Sequence, residues 1–361
     1  MPVSWTRFCK LLQGSTHFYH PIDCPRGAGF HRIEEMQNVL ITGGAGFIGS
    51  HLAQTLISQG CRVEVIDDLS TGRLSNIQHL LSHPDFSFTH TSVMNEKVTA
   101  TAIERADLVY HLAAAVGVHL IIEQPVRTIQ TNITCTELVL SLCARDKTPV
   151  LLASTSEVYG KSRKQRFHED DDLVIGPTSR SRWCYASSKI IDEFLAQAYY
   201  NEQGLPTVVA RFFNTIGPRQ TGRYGMVVPR FIEQAQHNQP ITVYGDGSQQ
   251  RSFTWVADVV NAIIQLMAKP SAMGEVFNIG HRSEISMLEL AKMIREMLGS
   301  SSEITQIPYE EALGSGFEDM QRRMPDLSKI QRFIDYAPSC DLPEMLRAII
   351  AHTEATIPAN R

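Results

Sequence analysis

Tyr185 and Lys189 stand four residues apart in Tyr185-Ala186-Ser187-Ser188-Lys189. On a helix that spacing puts both side chains on one face. A phenol ionises near pH 10. An adjacent ammonium stabilises the phenolate and makes the tyrosine a base usable at neutral pH. The pattern is short enough to arise often by chance, so it needs company. Ser154-Thr155-Ser156-Glu157 supplies some, at the end of the apolar run 150–153. If that run is a buried strand, its last hydroxyls reach the crevice where open α/β sheets bind ligands. Thr155 is then placed to hydrogen-bond a substrate oxygen whose proton goes to Tyr185. Glu157 adds a carboxyl group beside the same substrate.

A second chemistry-bearing stretch opens with Val39-Leu40-Ile41-Thr42 and continues Gly43-Gly44-Ala45-Gly46-Phe47-Ile48-Gly49. It reads as a strand, a tight turn and a helix start. Gly43 can take a positive φ, Gly46 lets the backbone approach a pyrophosphate, and Gly49 permits close helix–strand packing. The helix N-terminus then offers unpaired N–H groups to phosphate. Its G-x-x-G-x-x-G spacing is weak in isolation, and its place between a strand and a helix strengthens it. Asp67 closes the next strand about 20 residues on, where an acidic side chain bonds the ribose hydroxyls. A carboxylate there repels a 2′-phosphate, which favours NAD over NADP. Arg73 nearby argues the other way.

The elements needed to position these groups are legible. Strand-like runs at 38–42, 62–66, 108–112, 150–153 and 207–211 alternate with helical patterns at 50–59 and 125–145. That alternation predicts an α/β fold with a doubly wound parallel sheet covered on both faces. After residue 213 turn signals cluster, and helices are expected at 228–237, 256–268, 286–298 and 342–352. We divide the chain into an N-terminal extension (1–35) without periodicity, a cofactor domain (36–213) and a smaller α/β substrate domain (214–361). The last boundary is soft, because the chain is free to cross between lobes.

Composition excludes several classes. The chain has 361 residues, 43% hydrophobic and 20% charged, with a formal charge of -5. This is an ordinary globular balance with no sign of a nucleic-acid surface. No apolar run approaches the roughly 20 residues that span a bilayer. The seven cysteines lack zinc or redox spacing, which is read as incidental thiols in a reducing cytoplasm. No histidine sits in a metal-like constellation, and no metal is expected.

Six motifs occur in a fixed order: Thr42–Gly49, His111–Ala114, Ser154–Gly160, Tyr185–Lys189, Arg211–Arg219 and Val243–Phe253. Together they resemble the extended short-chain dehydrogenase/reductase family, in its nucleotide-sugar epimerase, dehydratase and decarboxylase branch. The resemblance covers residues 38–348. It implies a Rossmann-type cofactor domain holding NAD through Gly43, Gly46, Phe47, Ile48, Gly49, Asp67, Ala113, Asn132, Ser154, Tyr185 and Lys189. It implies catalysis by Thr155, Glu157, Tyr185 and Lys189. It also implies contacts to the substrate from Asn214, Arg219, Arg251 and Arg323, since guanidinium groups bond oxyanions in bidentate fashion. A homodimer is implied, joined through helices near 128–143 and 190–203.

The shared chemistry of that family is transient oxidation of the sugar at C4. The 4-keto group then permits epimerisation, loss of a C5 carboxylate or dehydration. The run Thr155-Ser156-Glu157 resembles UDP-glucuronate decarboxylases, which makes decarboxylation to a UDP-pentose the first expectation. A UDP-hexose or UDP-hexuronate 4-epimerase and a 4,6-dehydratase stay open, as does a non-enzymatic NAD-binding regulator. Segments 176–184 and 220–226 depart from the decarboxylase pattern.

Overall fold

The computed structural model describes residues 37–222, 225–313 and 320–356. The expected N-terminal extension lies outside these residues. The cofactor half runs β1 (Asn38–Thr42), α1 (Phe47–Ser58), β2 (Arg62–Asp67), β3 (Phe86–His90), α2 (Glu96–Arg105), β4 (Leu108–His111), α3 (Val118–Glu123), α4 (Pro125–Asp146), β5 (Val150–Thr155), α5 (Trp183–Gln203) and β6 (Thr207–Phe212). A 3₁₀ turn, Ser156–Tyr159, follows β5. Beyond it come β7 (Thr215–Ile216), α6 (Val227–Gln236), β8 (Ile241–Tyr244), β9 (Gln250–Arg251), β10 (Thr254–Trp255), α7 (Val256–Met267) and β11 (Glu275–Ile279). The chain closes with β12 (Ile285–Ser286), α8 (Met287–Met297), β13 (Ile304–Ile307), α9 (Tyr309–Leu313), β14 (Arg322–Arg323), α10 (Ser328–Phe333) and α11 (Leu342–Thr356).

Seven parallel strands form one sheet in the order β11-β6-β5-β4-β1-β2-β3. The sequence reason is visible in β1. Val39 and Ile41 point to one face, where α1 and α7 pack, and Leu40 to the other, against α2 and α4. Successive strand side chains alternate between faces, so a strand covered on both must be apolar throughout. Strand order reverses between β1 and β4, which opens a crevice at the carboxyl ends. Gly43, Thr155 and Asp67 all stand at that edge.

The sheet does not end at residue 213. Glu275–Ile279 returns to pair with β6, in register from Glu275–Val208 to Ile279–Phe212. Its helix α7 packs on α1. The chain therefore crosses back into the cofactor half before building the rest of the second lobe. That lobe has its own core, with Phe231, Val243, Trp255, Leu290 and Leu346 buried together. Cys61, Cys135, Cys143 and Cys184 are free thiols. Cys340 is disulfide-bonded, which departs from the expectation of thiols throughout. Among the described residues no helix is long and apolar enough to cross a membrane.

Candidate active site

The glycine turn builds the first half of the site. Gly43 has φ +75°, and a Cβ there would come within 2.7 Å of the Ala113 nitrogen. A Cβ on Gly49 would stand 2.4 Å from the Gly43 carbonyl oxygen. At these two positions the backbone is packed too tightly for a side chain, and α1 begins pointing its free N–H groups into the crevice. Asp67, 7% exposed, ends β2 beside it. Its Oδ2 accepts from the Ala45 N–H at 3.0 Å and its Oδ1 from the Leu69 N–H at 2.8 Å. Burial pushes this carboxyl up, against the pull of those two amides.

A cleft of about 560 Å³ runs from here across the sheet edge. Gly43, Gly46, Phe47, Ile48, Gly49, Asp67, Ala113, Ser154, Tyr185 and Lys189 line it. Asn132 does not line it. Its Oδ1 accepts from the Ala115 N–H at 2.8 Å and its Nδ2 donates to Ser188 Oγ at 3.0 Å, so it ties the wall to α5. Ser154 donates to Glu193, which also takes Arg211 Nη2 at 2.7 Å. Arg219 faces the cofactor side, donating to Gln54 and Ser50 on α1. Arg73 donates to Thr221 Oγ1 at 2.8 Å.

A second cleft of about 200 Å³ adjoins it and shares Tyr185, Glu157, Asn214 and Arg323. Thr155 closes β5 and hydrogen-bonds the Tyr185 hydroxyl. Burial is the main force that pushes this phenol up, followed by the charges of Glu157 and Asp192. Thr155 and Arg182 act in the opposite sense.

Glu157 is held by two arginines. Arg182 bonds Oε2, and Arg323 Nη1 lies 3.2 Å from Oε1. Burial alone would raise this carboxyl. Arg182, then Arg323 and Arg251, outweigh it and bring it down to about 2. The second lobe supplies two of these groups in register, because β9 and β14 pair with Arg251 opposite Arg323. Arg182 comes from the segment before Tyr185. Trp183 packs so closely on Gly176 that a Cβ on the glycine would lie 2.1 Å from the indole nitrogen, and this fixes the turn that delivers Arg182. Further along, Arg230 stacks 3.9 Å from the Tyr244 ring centroid, and Tyr309 closes the same end of the cleft.

Sequence reasoning named Glu157, Arg251 and Arg323 but missed Arg182, Arg230 and Tyr244. Arg182 had a usable signal: it lies three residues before Tyr185, on the same side of a helix start. Among the described residues no His, Cys, Asp and Glu cluster suits a metal.

The model of the family described as GDP-mannose 4,6 dehydratase matches residues 40–349. The chain belongs to this family. Within the extended short-chain dehydrogenase/reductases it falls in the nucleotide-sugar branch, and it is an NAD-dependent enzyme. The UDP-N-acetyl-α-D-glucosaminuronate decarboxylase of Bacillus cytotoxicus is 39% identical over 86% of this chain and 96% of its own. UDP-glucuronic acid decarboxylase 1 of Xenopus tropicalis is 36% identical, covering 94% of this chain and 76% of that protein. The UDP-glucuronic acid 4-epimerase of Bacillus cereus, solved with UDP-glucuronic acid and NAD, superposes with TM-score 0.79 at 30% identity, over 88% of this chain and 99% of its own. NAD fits the residues present here. Gly43, Gly46 and Gly49 line the cleft without a side chain, which leaves their backbone accessible to a pyrophosphate, and Asp67 keeps lone pairs for ribose hydroxyls.

Proposed function

We propose that this family member decarboxylates a UDP-linked hexuronate, with UDP-glucuronate as the first candidate and a UDP-pentose as product. One observation carries the reading. Among the described residues, the guanidinium groups of Arg182, Arg323 and Arg251 converge on the Glu157 carboxylate, a cluster of donors suited to an oxyanion where the sugar must lie. Such a site favours a sugar that brings a carboxylate of its own. The 39% identical relative, a decarboxylase of an acetamido uronate, makes UDP-N-acetylglucosaminuronate the second candidate.

NAD, when bound, would supply the hydride acceptor for the sugar carbon and the donor for its return. The chain's own residues do the rest. Tyr185 takes the proton of the sugar 4-hydroxyl and later gives it back, with Thr155 holding the oxygen between them. Lys189 holds the nicotinamide ribose. The 4-keto sugar loses its C5 carboxylate as CO₂, the bonding electrons pass into the enolate, and C5 takes a proton. A carboxyl depressed to about 2 is ionised at neutral pH, so Glu157 acts as acceptor and orienter rather than as the source of that proton. Its role is to fix the two guanidinium groups and a proton-delivering water. Asn214, Arg219, Arg251 and Arg323 are proposed as substrate contacts, Arg219 from the cofactor side.

Proton NMR with NAD and each of UDP-glucuronate, UDP-N-acetylglucosaminuronate and UDP-glucose tests this. A new pentose C5 methylene is expected from a uronate. Gluco–galacto interconversion with C6 retained would establish a 4-epimerase instead, the reading that the Bacillus cereus neighbour favours.

The same proposal includes a homodimer joined through α4 and α5. Val126, Ile129, Ile191 and Phe194 on these helices are exposed, Phe194 at 70%, and apolar faces of this kind mark interfaces. Phe194→Asp should yield monomers by sedimentation, and an unchanged dimer would reject this surface. A cytoplasmic location belongs to the same proposal; the four free thiols favour it, the Cys340 disulfide weighs against it, and fractionation tests it directly.

A further inference from the structure

Below the base pair lies a carboxylate that the reaction scheme does not use. Asp192 follows Tyr185 and Lys189 at the next helical position on one face of α5, in the order i, i+4, i+7. It is 0% exposed. Its Oδ2 accepts from Lys189 Nζ at 2.7 Å. The Thr136 hydroxyl on α4 supports the same carboxylate. Thr136 Oγ1 lies 3.3 Å from His111 Nε2, and His111 Nδ1 lies 2.7 Å from Thr42 Oγ1. A buried polar chain thus leads from β1, just ahead of the glycine turn, to Lys189, one turn beyond the proposed base.

Stability gives no reason for this arrangement. A buried ion pair is about as stable as an apolar pair of the same size, or less so. Oδ1 of Asp192 makes no hydrogen bond among the described residues, which adds a cost. The apolar alternative would be easy here, since α4 and α5 pack through Val139, Leu140 and Ala196. What the pair does achieve is geometric. It pins a flexible ammonium at a fixed depth and sets a negative charge behind it.

We propose that Asp192 is a positioning residue for catalysis, which anchors Lys189 and sets the pH at which Tyr185 becomes a base. This rests on the reading of Tyr185 as the base. Every neighbouring element bears on the charge. From α4 come Thr136 and the Cys135 thiol, which is pushed up chiefly by burial and also by Asp192. From β4 comes His111, held neutral by burial at about 3. The turn after β5 brings Glu157. Glu193 on α5 itself is paired with Arg211 of β6. Arg182 stands beyond Tyr185. Burial pushes the Asp192 carboxyl up, against the pull of Lys189 and Thr136; paired with Lys189 at 2.7 Å, its negative charge opposes formation of the phenolate, so removing that charge favours the phenolate.

The test compares wild type with Asp192→Asn and Asp192→Ser, with Tyr185→Phe and Lys189→Met as controls. Two readouts are needed: the pH profile of kcat, and the titration of ¹³Cζ-labelled tyrosine by NMR, with the Tyr185 signal assigned by its loss in Tyr185→Phe. The NMR readout does not depend on the sugar chosen. In whichever Asp192 variant folds, both midpoints should move down by about one pH unit, about tenfold in proton affinity. Maximal kcat should fall severalfold while KM for the nucleotide-sugar holds. A merely structural Asp192 would lower thermal stability and kcat with both midpoints unmoved, and that result overturns the proposal. Should Tyr185→Phe retain full turnover, the base reading fails first. Should it be inactive while the Asp192 variants titrate as wild type, only the anchoring role fails.

Discussion

The two clefts that meet at Tyr185 are built by different means. The cofactor cleft is made of backbone. Its turn is defined by residues that cannot carry a Cβ, and its defining polar group, Asp67, is fixed by two amides from nearby segments. The sugar cleft is made of side chains drawn from distant parts of the chain. Glu157 meets Arg182 across 25 positions and Arg323 across 166. A site of the first kind is rigid and serves any reaction that needs the same cofactor. A site of the second kind can be altered one residue at a time without disturbing the fold. This explains how the chain can share 30% identity and a TM-score of 0.79 with a 4-epimerase while resembling decarboxylases more strongly in sequence.

The comparison can be broken at the residue both clefts share. Tyr185→Phe removes the proton acceptor and leaves both walls standing. We expect turnover to fall about 10²–10⁴-fold with NAD affinity nearly unchanged, as read by steady-state rates and by calorimetry. A variant that loses NAD as well would show that Tyr185 belongs to the cofactor wall first.

Changes within one cleft sharpen it. Arg182→Met should raise KM for the nucleotide-sugar about 10–100-fold, the worth of one charge-assisted hydrogen bond in a buried site, while NAD titrations match wild type. Gly49→Ala should do the reverse. Its methyl group must enter space 2.4 Å from the Gly43 oxygen, which displaces the turn. NAD affinity should drop about tenfold, and KM for the sugar measured at saturating NAD should hold. Equal losses of both ligands in either variant would mean that the clefts are not independent.

The same distinction governs what could be read beforehand. The glycine turn, Asp67, Tyr185 and Lys189 could be named from the sequence because each lies beside the neighbours through which it is proposed to act. Up to β6, the positions of β1, α1, β2, β4, α4, β5 and β6 followed from periodicity within a few residues at the ends, whereas β3, α2 and α3 were not read. Two failures have a common cause. The return of Glu275–Ile279 to the sheet was missed because a short apolar strand carries no mark of its partner. Arg182 was missed because its worth depends on Glu157, and only the packing of Trp183 on Gly176 brings them together. Asp192 offered a signal that went unused: an acidic residue one turn beyond the lysine of the Tyr-x-x-x-Lys pattern, on the same helical face.

The smallest expected effect separates the clefts by sign. In the folded protein the Glu157 carboxyl, although burial opposes its charge, is depressed from its ordinary 4.5 to about 2 by Arg182, Arg323 and Arg251. A depressed carboxyl stabilises the fold above its unfolded value, and that contribution is lost as pH falls through the folded one. The urea midpoint of wild type relative to Glu157→Gln should therefore be flat from about pH 7 to 5 and should shrink below about 4.5. Asp67 behaves oppositely. Burial raises it above its ordinary 3.8, against the pull of the Leu69 and Ala45 amides, so its contribution is greatest below that value and declines as pH rises through the raised one. Wild type relative to Asp67→Asn should accordingly lose ground as pH rises from about 3.8. If both differences run in the same direction, one of the two carboxylates is not in the environment described. A Glu157 difference that stays flat to pH 3 would remove the arginine cluster around this carboxylate on which the uronate reading rests.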